Sequence, residues 1–282
     1  MLALMRIEFS KMQGLGNDFL VFDAPPASAG ARLNPEKFRA LADRRTGIGF
    51  DQALMLEAPR DPRSRIFYRI FNSDGSEVEQ CGNGARCIAA LLYARKPALG
   101  RELLMDSPGG SVRAQVREDG LVSVDMGIPN FEPKALPMEA DGESPTYHLR
   151  TDRGSIDFGA VSMGNPHVVV RVADVETAPV ADLGPAIEHH PKFPKRTNVG
   201  FMQIVDRGHI RLRVFERGAG ETQACGTGAC AAVVVGRRWD LLEREIAVDL
   251  KGGSASVSWE GAGRHVWLTG PATTVFTGSI EI

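Results

Sequence analysis

The sequence contains one short motif twice, and this repetition limits what the chain can fold into. Cys81 begins CGNGA at 81–85, and Cys225 begins CGTGA at 225–229. Each cysteine follows an acidic segment that contains glycine, and each precedes an apolar run typical of a buried helix. Repetition in two halves of a chain indicates that one structural unit is built twice.

The similarity between the halves extends beyond the cysteines. Further blocks recur in the same order at a nearly constant spacing. They are 16–17 with 164–165, 45–50 with 196–201, 109–110 with 252–253, and 127–129 with 270–271. This alignment pairs Gln52 with Gln203, Gly47 with Asn198, Asn72 with Glu216, and Ser73 with Arg217. Five blocks in one order indicate an internal duplication with two homologous halves.

The hydrophobic pattern predicts the same architecture in both halves. Residues 83–95 and 226–238 read as helices that are apolar around most of their girth, as expected of helices enclosed by other structure. Short alternating runs around them predict strands, and Asn34 with Pro35 predicts the start of a short helix over 35–43. We therefore expect an α/β (α+β) fold of two pseudo-symmetric duplicated domains, each a curled, mixed or mostly antiparallel sheet or barrel around a central helix.

The predicted domains are 1–128 together with 272–282, carrying Cys81, and 129–271, carrying Cys225. The four prolines of 129–145 favour a linker between the halves. The strand-like segment 273–281 follows the end of the second repeat, so we expect it to return and complete the first half.

Composition excludes several classes of function. The formal charge of −2 gives no basic surface for nucleic acid. No apolar stretch approaches the ~20 residues that span a bilayer, and 1–6 lacks the pattern of a secretory signal. We expect a cytoplasmic protein, in whose reducing environment four cysteines are chemical or packed rather than disulfide-bonded.

The repeated cysteine corner predicts acid–base chemistry. A cysteine at a helix start lies beside unpaired backbone N–H groups, which favour negative charge, so we expect the pKa of both thiols to be lowered from ~8.5. The flanking glycines let an anion approach the backbone amides closely. Two such corners could hold one carboxylate and work on opposite faces of the adjacent carbon, one thiolate removing a proton while the other thiol donates one. This scheme requires neither a metal nor pyridoxal phosphate.

The cysteines have other possible roles. A buried cysteine is often only a small apolar residue, and we assign that role to Cys87 and Cys230, which lie within their helices out of register. No Cys-x-x-Cys pair supports zinc, and neither glycine turn matches a P-loop or dinucleotide fingerprint. A disulfide between Cys81 and Cys225 would be an oxidised, inactive form.

Five long stretches combine the repeated glycine, asparagine and cysteine positions. They are FNSDGSEVEQCGNGARC at 71–87, ERGAGETQACGTGAC at 216–230, KMQGLGNDF at 11–19, MGNPH at 163–167 and RTNVGF at 196–201. These stretches resemble the signature stretches of the diaminopimelate epimerase family. The resemblance implies a cofactor-independent isomerase that interconverts LL- and meso-diaminopimelate in the synthesis of lysine and peptidoglycan precursors. It also implies two pseudo-symmetric α/β domains with the active site in the cleft between them, and a homodimer.

The resemblance further implies the site residues. Cys81 and Cys225 would be the acid/base pair, with His167 and Glu216 assisting the reacting centre. The implied substrate-binding residues are Asn17, Gln52, Asn72, Gly82, Asn83, Asn165, Asn198, Glu216, Arg217, Gly226 and Thr227. These roles are chemically reasonable, because Arg217 offers a bidentate fork to a distal carboxylate, while Glu216 and asparagine carbonyls accept from ammonium groups.

Two alternatives remain open from the sequence. One is a two-thiol racemase of the same fold acting on proline or hydroxyproline, which Glu216 and Arg217 argue against, since a small imino acid has no distal carboxylate. The other is a binding module or thiol redox switch that uses Cys81 and Cys225 without catalysis.

Overall fold

A computed structural model describes residues 6–25, 33–78, 81–151 and 154–281. Glu79 and Gln80 of the segment before Cys81, and the start of the chain examined for a signal, lie outside the described residues. The chain forms two compact units, Met1–Val124 with Gly270–Ile282, and Asp125–Thr269.

The helices and strands follow one another in the same order in the two halves of the chain, apart from the first strand of the second half and the last strand of the chain. The first part contains β1 (Arg6–Gly14), β2 (Asn17–Asp23), α1 (Pro35–Ala42), β3 (Gln52–Glu57), β4 (Phe67–Asn72), β5 (Glu77–Val78), α2 (Gly82–Arg95), β6 (Glu102–Ser107), β7 (Gly110–Val116) and β8 (Val122–Asp125). The second contains β9 (Tyr147–Thr151), β10 (Gly154–Ser162), β11 (Pro166–Arg171), α3 (Val180–Glu188), β12 (Asn198–Asp206), β13 (His209–Glu216), β14 (Gly220–Glu221), α4 (Gly226–Arg238), β15 (Glu245–Leu250), β16 (Gly253–Trp259), β17 (Val266–Gly270) and β18 (Thr273–Glu281).

Strand pairing is the same in both units. In the first unit, β18, β1, β2, β3 and β4 are successive neighbours, β4 continues to β5 and β6, and β7 and β8 complete the series. In the second, β9 to β13 follow in order, β13 continues to β14 and β15, and β16 and β17 complete it. The parallel pairs also correspond: β2–β3 and β4–β6 in one unit, β11–β12 and β13–β15 in the other. The predicted fold of duplicated, mixed and mostly antiparallel sheets is confirmed.

The central helices are buried as their sequences predict. In α2, Cys87, Ile88 and Ala89 are fully buried, and α4 is buried continuously over 228–236. The short helix α1 also begins as expected, because the side chain of Asn34 accepts a hydrogen bond from the Lys37 amide at 2.9 Å, with Pro35 in the first turn.

The strand register corrects one part of the sequence alignment. Phe19 on β2 pairs with Gln52 on β3, and His167 on β11 pairs with Asn198 on β12. Because β2 corresponds to β11 and β3 to β12, Gln52 is the structural counterpart of Asn198. Asp51, one residue earlier, is therefore the counterpart of Thr197.

The predicted pairing of 45–50 with 196–201 is therefore wrong, as are those of Gln52 with Gln203 and of Gly47 with Asn198. Residues 45–50 form the turn before β3, whereas 198–201 already belong to β12. The similar residues serve different local structures, and the true spacing of the strands differs by five positions. Gln203 instead supports a loop, since its Oε1 accepts from the Val175 amide at 3.1 Å.

Candidate active site

Cys81 forms the N-cap of α2. Its backbone is extended, with φ −149° and ψ 110°, and its Sγ accepts a hydrogen bond from the Gly84 amide at 3.4 Å. Gly84 has little room for a side chain, because a Cβ there would lie 3.1 Å from Leu54. Gly82 opens the helix. The half-buried thiol thus lies at the positive end of the helix, as the sequence predicts.

Two asparagines lie beside this thiol. Asn17 begins β2 after a tight turn in which Leu15 and Gly16 both have positive φ, 57° and 78°. The Oδ1 of Asn17 lies 3.9 Å from Cys81 Sγ and accepts from Asn83 Nδ2 at 3.5 Å. The structure therefore brings together three of the predicted site residues, from a hairpin and a helix start.

Gln52 and Asn72 face each other on neighbouring strands. Gln52 Nε2 donates to Asn72 Oδ1 at 3.0 Å, and Asn72 Nδ2 donates to Ser76 Oγ at 3.1 Å. The Oε1 of Gln52 is buried and has no hydrogen-bond partner among the described residues. A buried unpaired acceptor is costly, so this oxygen is suited to a donor from a ligand.

Cys225 forms the N-cap of α4 and is only 4% exposed. Its Sγ donates to Glu216 Oε2 at 3.1 Å and lies 3.5 Å from Thr227 Oγ1. Gly228 lies in the first turn of α4, where a Cβ would lie 3.3 Å from the sulfur and 3.0 Å from Val214. Gly226 opens the helix, so the corner repeats the geometry of Cys81 with different neighbours.

The expectation of a lowered pKa is wrong for Cys225. Burial raises the pKa of its thiol well above the usual value, and the negative charge of Glu216 raises it further. The Thr227 hydroxyl and the Gly228 amide favour the thiolate, but they do not outweigh these two causes. The structure therefore holds Cys225 as a thiol that can donate a proton.

His167 and Asn165 continue the polar contacts behind Cys225. His167 Nε2 lies 2.9 Å from Asn165 Oδ1, and Asn165 Nδ2 donates to Thr227 Oγ1 at 3.4 Å. Burial lowers the pKa of His167 to about 3, with a smaller effect from the Arg217 cation. His167 is therefore neutral at physiological pH, and contacts through Asn165 and Thr227 connect it to the Cys225 thiol.

The turn at Glu216 and Arg217 is held from several sides. Asn198 is 3% exposed, and its Oδ1 accepts from the Arg217 amide at 2.9 Å while its Nδ2 donates to the Pro166 carbonyl at 2.8 Å. Its side chain therefore fixes the backbone that presents Arg217. The Arg217 guanidinium is exposed and donates to the Lys195 carbonyl at 3.3 Å.

Sequence reasoning missed two residues that support this turn. Thr222 Oγ1 donates to Glu216 Oε1 at 2.6 Å, which orients the carboxylate toward Cys225. Glu188 is 2% exposed at the end of α3, and its Oε1 accepts from the Gly218 amide at 2.8 Å. A buried glutamate next to a glycine turn gives no signal in one sequence, because the contact joins residues thirty positions apart.

The predicted site residues thus form local clusters within each unit, one around Cys81, one pairing Gln52 with Asn72, and one around Cys225. Within the described parts of the chain, no three His, Cys, Asp or Glu side chains are grouped so that they could hold a metal ion. No helix in the described ranges is both long and apolar enough to cross a membrane.

Comparison with protein families gives a match that covers most of the chain. The model of the family described as diaminopimelate epimerase matches residues 9–132 and 159–275. The chain is 54% identical over 280 residues to a diaminopimelate epimerase of Thioalkalivibrio sulfidiphilus (strain HL-EbGR7), covering 99% of this chain and 100% of that protein. It is 50% identical over 278 residues to the diaminopimelate epimerase of Stutzerimonas stutzeri (strain A1501), with the same coverage.

Solved structures share the fold at much lower identity. A hydroxyproline epimerase from Agrobacterium vitis with bound trans-4-hydroxy-L-proline superposes with a TM-score of 0.68 at 16% identity, covering 98% of this chain and 93% of that one. At this identity, the similarity establishes the fold that the two chains have in common.

Proposed function

The chain belongs to the diaminopimelate epimerase family, and we propose that it interconverts LL- and meso-diaminopimelate with Cys81 and Cys225 as the acid/base pair. One observation carries the mechanism. In each unit, a cysteine is the N-cap of the central helix. An asparagine from the preceding hairpin contacts the second residue of that helix: Asn17 contacts Asn83, and Asn165 contacts Thr227. Amino-acid epimerisation inverts one Cα, and twin thiols are suited to proton transfer on its two faces.

The proton transfers balance without any other reactant. One cysteine, as thiolate, takes the Cα proton and becomes a thiol, while the other thiol gives its proton to the opposite face and becomes a thiolate. The backbone amides at the helix starts stabilise the charge that builds on the substrate carboxylate as the carbon becomes planar. The reverse reaction exchanges the two roles.

Glu216 makes Cys225 able to serve in both directions. The Sγ–H of Cys225 points to Glu216 Oε2 at 3.1 Å, so thiol and carboxylate share one proton. Moving this proton to Glu216 leaves a thiolate without changing the total charge of the buried corner. Cys225 is thereby a proton donor at rest and a base when Glu216 holds the proton.

The residues around Cys225 support recognition of the rest of the substrate. Diaminopimelate carries a distal ammonium and a distal carboxylate, and we assign the latter to the exposed Arg217, whose backbone is fixed by Asn198. The unpaired Oε1 of Gln52 is assigned to an ammonium group. The remaining predicted contacts, Asn72 and Asn165 among them, stay part of this proposal.

The biological setting follows from the reaction. The product is a precursor of lysine and peptidoglycan, and we propose that the enzyme works in the cytoplasm as a homodimer. Its partner is the small-molecule substrate, and it uses no metal and no organic cofactor.

The test is exchange of the Cα proton in deuterated water, with LL-diaminopimelate, meso-diaminopimelate and proline assayed side by side. We expect exchange with both diaminopimelates and none with proline. Cys81→Ala and Cys225→Ala should each lower the rate by at least a factor of about 10³, because each removes an acid/base group. Cys87→Ala, a buried cysteine of α2 away from the N-cap, is the matched control.

Each outcome decides something. Loss of exchange in both N-cap variants with substrate binding retained supports the two-thiol mechanism. Unchanged exchange in either variant removes that cysteine from the chemistry. Exchange with proline but not with diaminopimelate would favour the imino-acid racemase instead.

A further inference from the structure

The corresponding asparagines of the two units are oriented in opposite directions. Asn17 turns its Oδ1 toward Cys81 and Asn83, and its Nδ2 donates to Asp51 Oδ2 at 3.0 Å. Asn165 turns its Nδ2 toward Thr227 at the start of the second helix. The two faces of a carboxamide have nearly the same shape, so hydrogen-bond partners alone decide which face is turned inward.

The partners have been exchanged between the repeats. By strand register, Phe19 occupies the position of His167, and Asp51 occupies the position of Thr197. The first unit therefore has an acceptor where the second has a hydroxyl, and an apolar ring where the second has an imidazole against Asn165 Oδ1. The surroundings, and not the asparagine itself, differ between the units.

Arg86 fixes the orientation of Asn83, the asparagine that donates to Asn17. Arg86 on α2 is fully buried, and its Nη2 donates to Asn83 Oδ1 at 2.9 Å. This contact turns Asn83 Nδ2 toward Asn17. Arg86 lies five residues after Cys81, and the corresponding residue of α4 is Cys230, which cannot supply a cation.

Asp51 and Arg86 together fix the orientation of the Asn17 and Asn83 side-chain amides, which the contact between the two asparagines does not fix by itself. If Asn17 and Asn83 turned over together, the hydrogen bond between them could form with its direction reversed. A carboxylate only accepts and a guanidinium only donates, so Asp51 and Arg86 allow one direction: Arg86 to Asn83, Asn83 to Asn17, Asn17 to Asp51.

Asp51 is itself held in place. Its Oδ2 accepts from the Asp18 amide at 3.1 Å, and its Oδ1 accepts from Arg44 Nη2 at 2.8 Å. Arg44 and Lys11 also bind the Asp18 carboxylate. Burial raises the pKa of Asp18, but the hydrogen bonds from Arg44 and Lys11 outweigh it and hold the pKa below its usual range.

We propose that Asp51 and Arg86 are positioning residues that keep the Asn17 carbonyl oxygen, rather than its NH₂ group, against the Cys81 thiol. This proposal rests on the assigned role of Cys81. A carbonyl oxygen accepts from a thiol and repels a thiolate, whereas an N–H group would stabilise the thiolate. The pair thereby sets how readily Cys81 takes up and releases its proton.

The test is the pH dependence of Cys81 alkylation by iodoacetamide, in a Cys225→Ser background and located by mass spectrometry. Asp51→Ala and Arg86→Met should each move the midpoint about one pH unit lower, the effect of exchanging a hydrogen-bond acceptor for a donor. Below the midpoint the rate should rise about threefold rather than tenfold, because a more stable thiolate is less nucleophilic.

Cys87 and Tyr68 do not obscure the pH dependence of Cys81 alkylation. Burial raises the pKa of Cys87 to about 12 and also raises that of Tyr68, two titratable groups that interact with Cys81, while Arg86 stays charged. Asp23 and Arg95 form a partly exposed ion pair at 3.1 Å remote from the thiol, so Asp23→Ala and Arg95→Met are matched controls. Arg86→Lys should restore most of the wild-type profile.

The alkylation and kcat measurements distinguish a failure of the positioning role from a failure of the proposed function. In enzyme with Cys225 intact, we expect kcat to fall about tenfold in Asp51→Ala and in Arg86→Met, with the double variant less than additive, because both act on one chain of amides. Alkylation does not depend on turnover, so it tests the positioning role even if the enzyme does not epimerise diaminopimelate. An alkylation profile identical to those of the control variants overturns the proposal. If Arg86→Met does not fold, Arg86→Gln replaces it, because Asp51→Ala alone also lowers the pKa of the thiol by removing a negative charge.

Discussion

Replacing Glu216 by glutamine should lower the pKa of Cys225. The carboxylate disfavours the thiolate in two ways, by its negative charge and by accepting the thiol proton at 3.1 Å. Glutamine has nearly the same shape and can still accept a hydrogen bond, so the substitution isolates the charge. Burial, the larger cause of the raised pKa, is left unchanged. The pKa should therefore fall but stay above that of an exposed thiol.

The distance gives the size of the effect. Two unit charges 3.1 Å apart interact by about 5 kcal/mol at an effective dielectric constant of about 20. Glu216 is only partly buried, and water screens it, so a net effect on the order of 1.5–4 kcal/mol is expected, equivalent to about one to three pH units.

The assay is thiolate absorbance near 240 nm, titrated as the difference between each enzyme and its Cys225→Ser counterpart. Glu221→Gln is the matched control, because Glu221 lies in the same hairpin but pairs with Arg213 and Lys251. A Cys225 midpoint that stays in place or rises in Glu216→Gln, or that falls equally in Glu221→Gln, refutes the electrostatic reasoning.

Three further predictions concern stability. The folded-state pKa of His167 is depressed to about 3, so its contribution to stability is present above pH ~6.5 and is lost as pH falls toward 3. The free energy of unfolding should fall by up to about 1.4 kcal/mol per pH unit in this range. In urea unfolding, His167→Gln should therefore show a weaker acid dependence than the parent protein. Because the pKa of Cys225 is raised, its contribution is present below pH ~9 and lost above it, so Cys225→Ser should be less sensitive to alkali in the same measurement. Asn198→Ala should cost about 2–4 kcal/mol of unfolding free energy, since it leaves the buried Pro166 carbonyl and Arg217 amide unpaired, and should raise KM more than it lowers kcat.

The fold was predictable because local signals and the repeat agreed. The Gly-flanked cysteines located both central helices, and Asn34 with Pro35 located the start of α1. The helix α3 was missed, because it carries Pro185 in its interior and has no side-chain cap at its start. Glycine-rich turn residues misled the alignment at 45–50, since they fit a turn in one half and a strand in the other.

The chemistry of the site was less predictable than its position. A helix start favours a thiolate, and the sequence contains that signal for both cysteines. It contains no measure of burial, which reverses the effect at Cys225. Nor does it show that Thr222 holds Glu216, or that Arg86 holds Asn83, because such contacts depend on which side chains the folded sheet brings together.

The duplication explains why the two thiol corners are alike, but the groups around the two sulfurs differ. Two identical corners would hold their protons equally, and neither thiol would be prepared as donor. The divergence is concentrated in the residues that surround each sulfur: Cys225 faces a carboxylate at 3.1 Å, whereas Cys81 faces an amide carbonyl at 3.9 Å. A formal negative charge disfavours a neighbouring thiolate far more strongly than a carbonyl dipole does. Under the proposed two-thiol mechanism, we therefore expect Cys225 to hold its proton at rest and to act first as the donor.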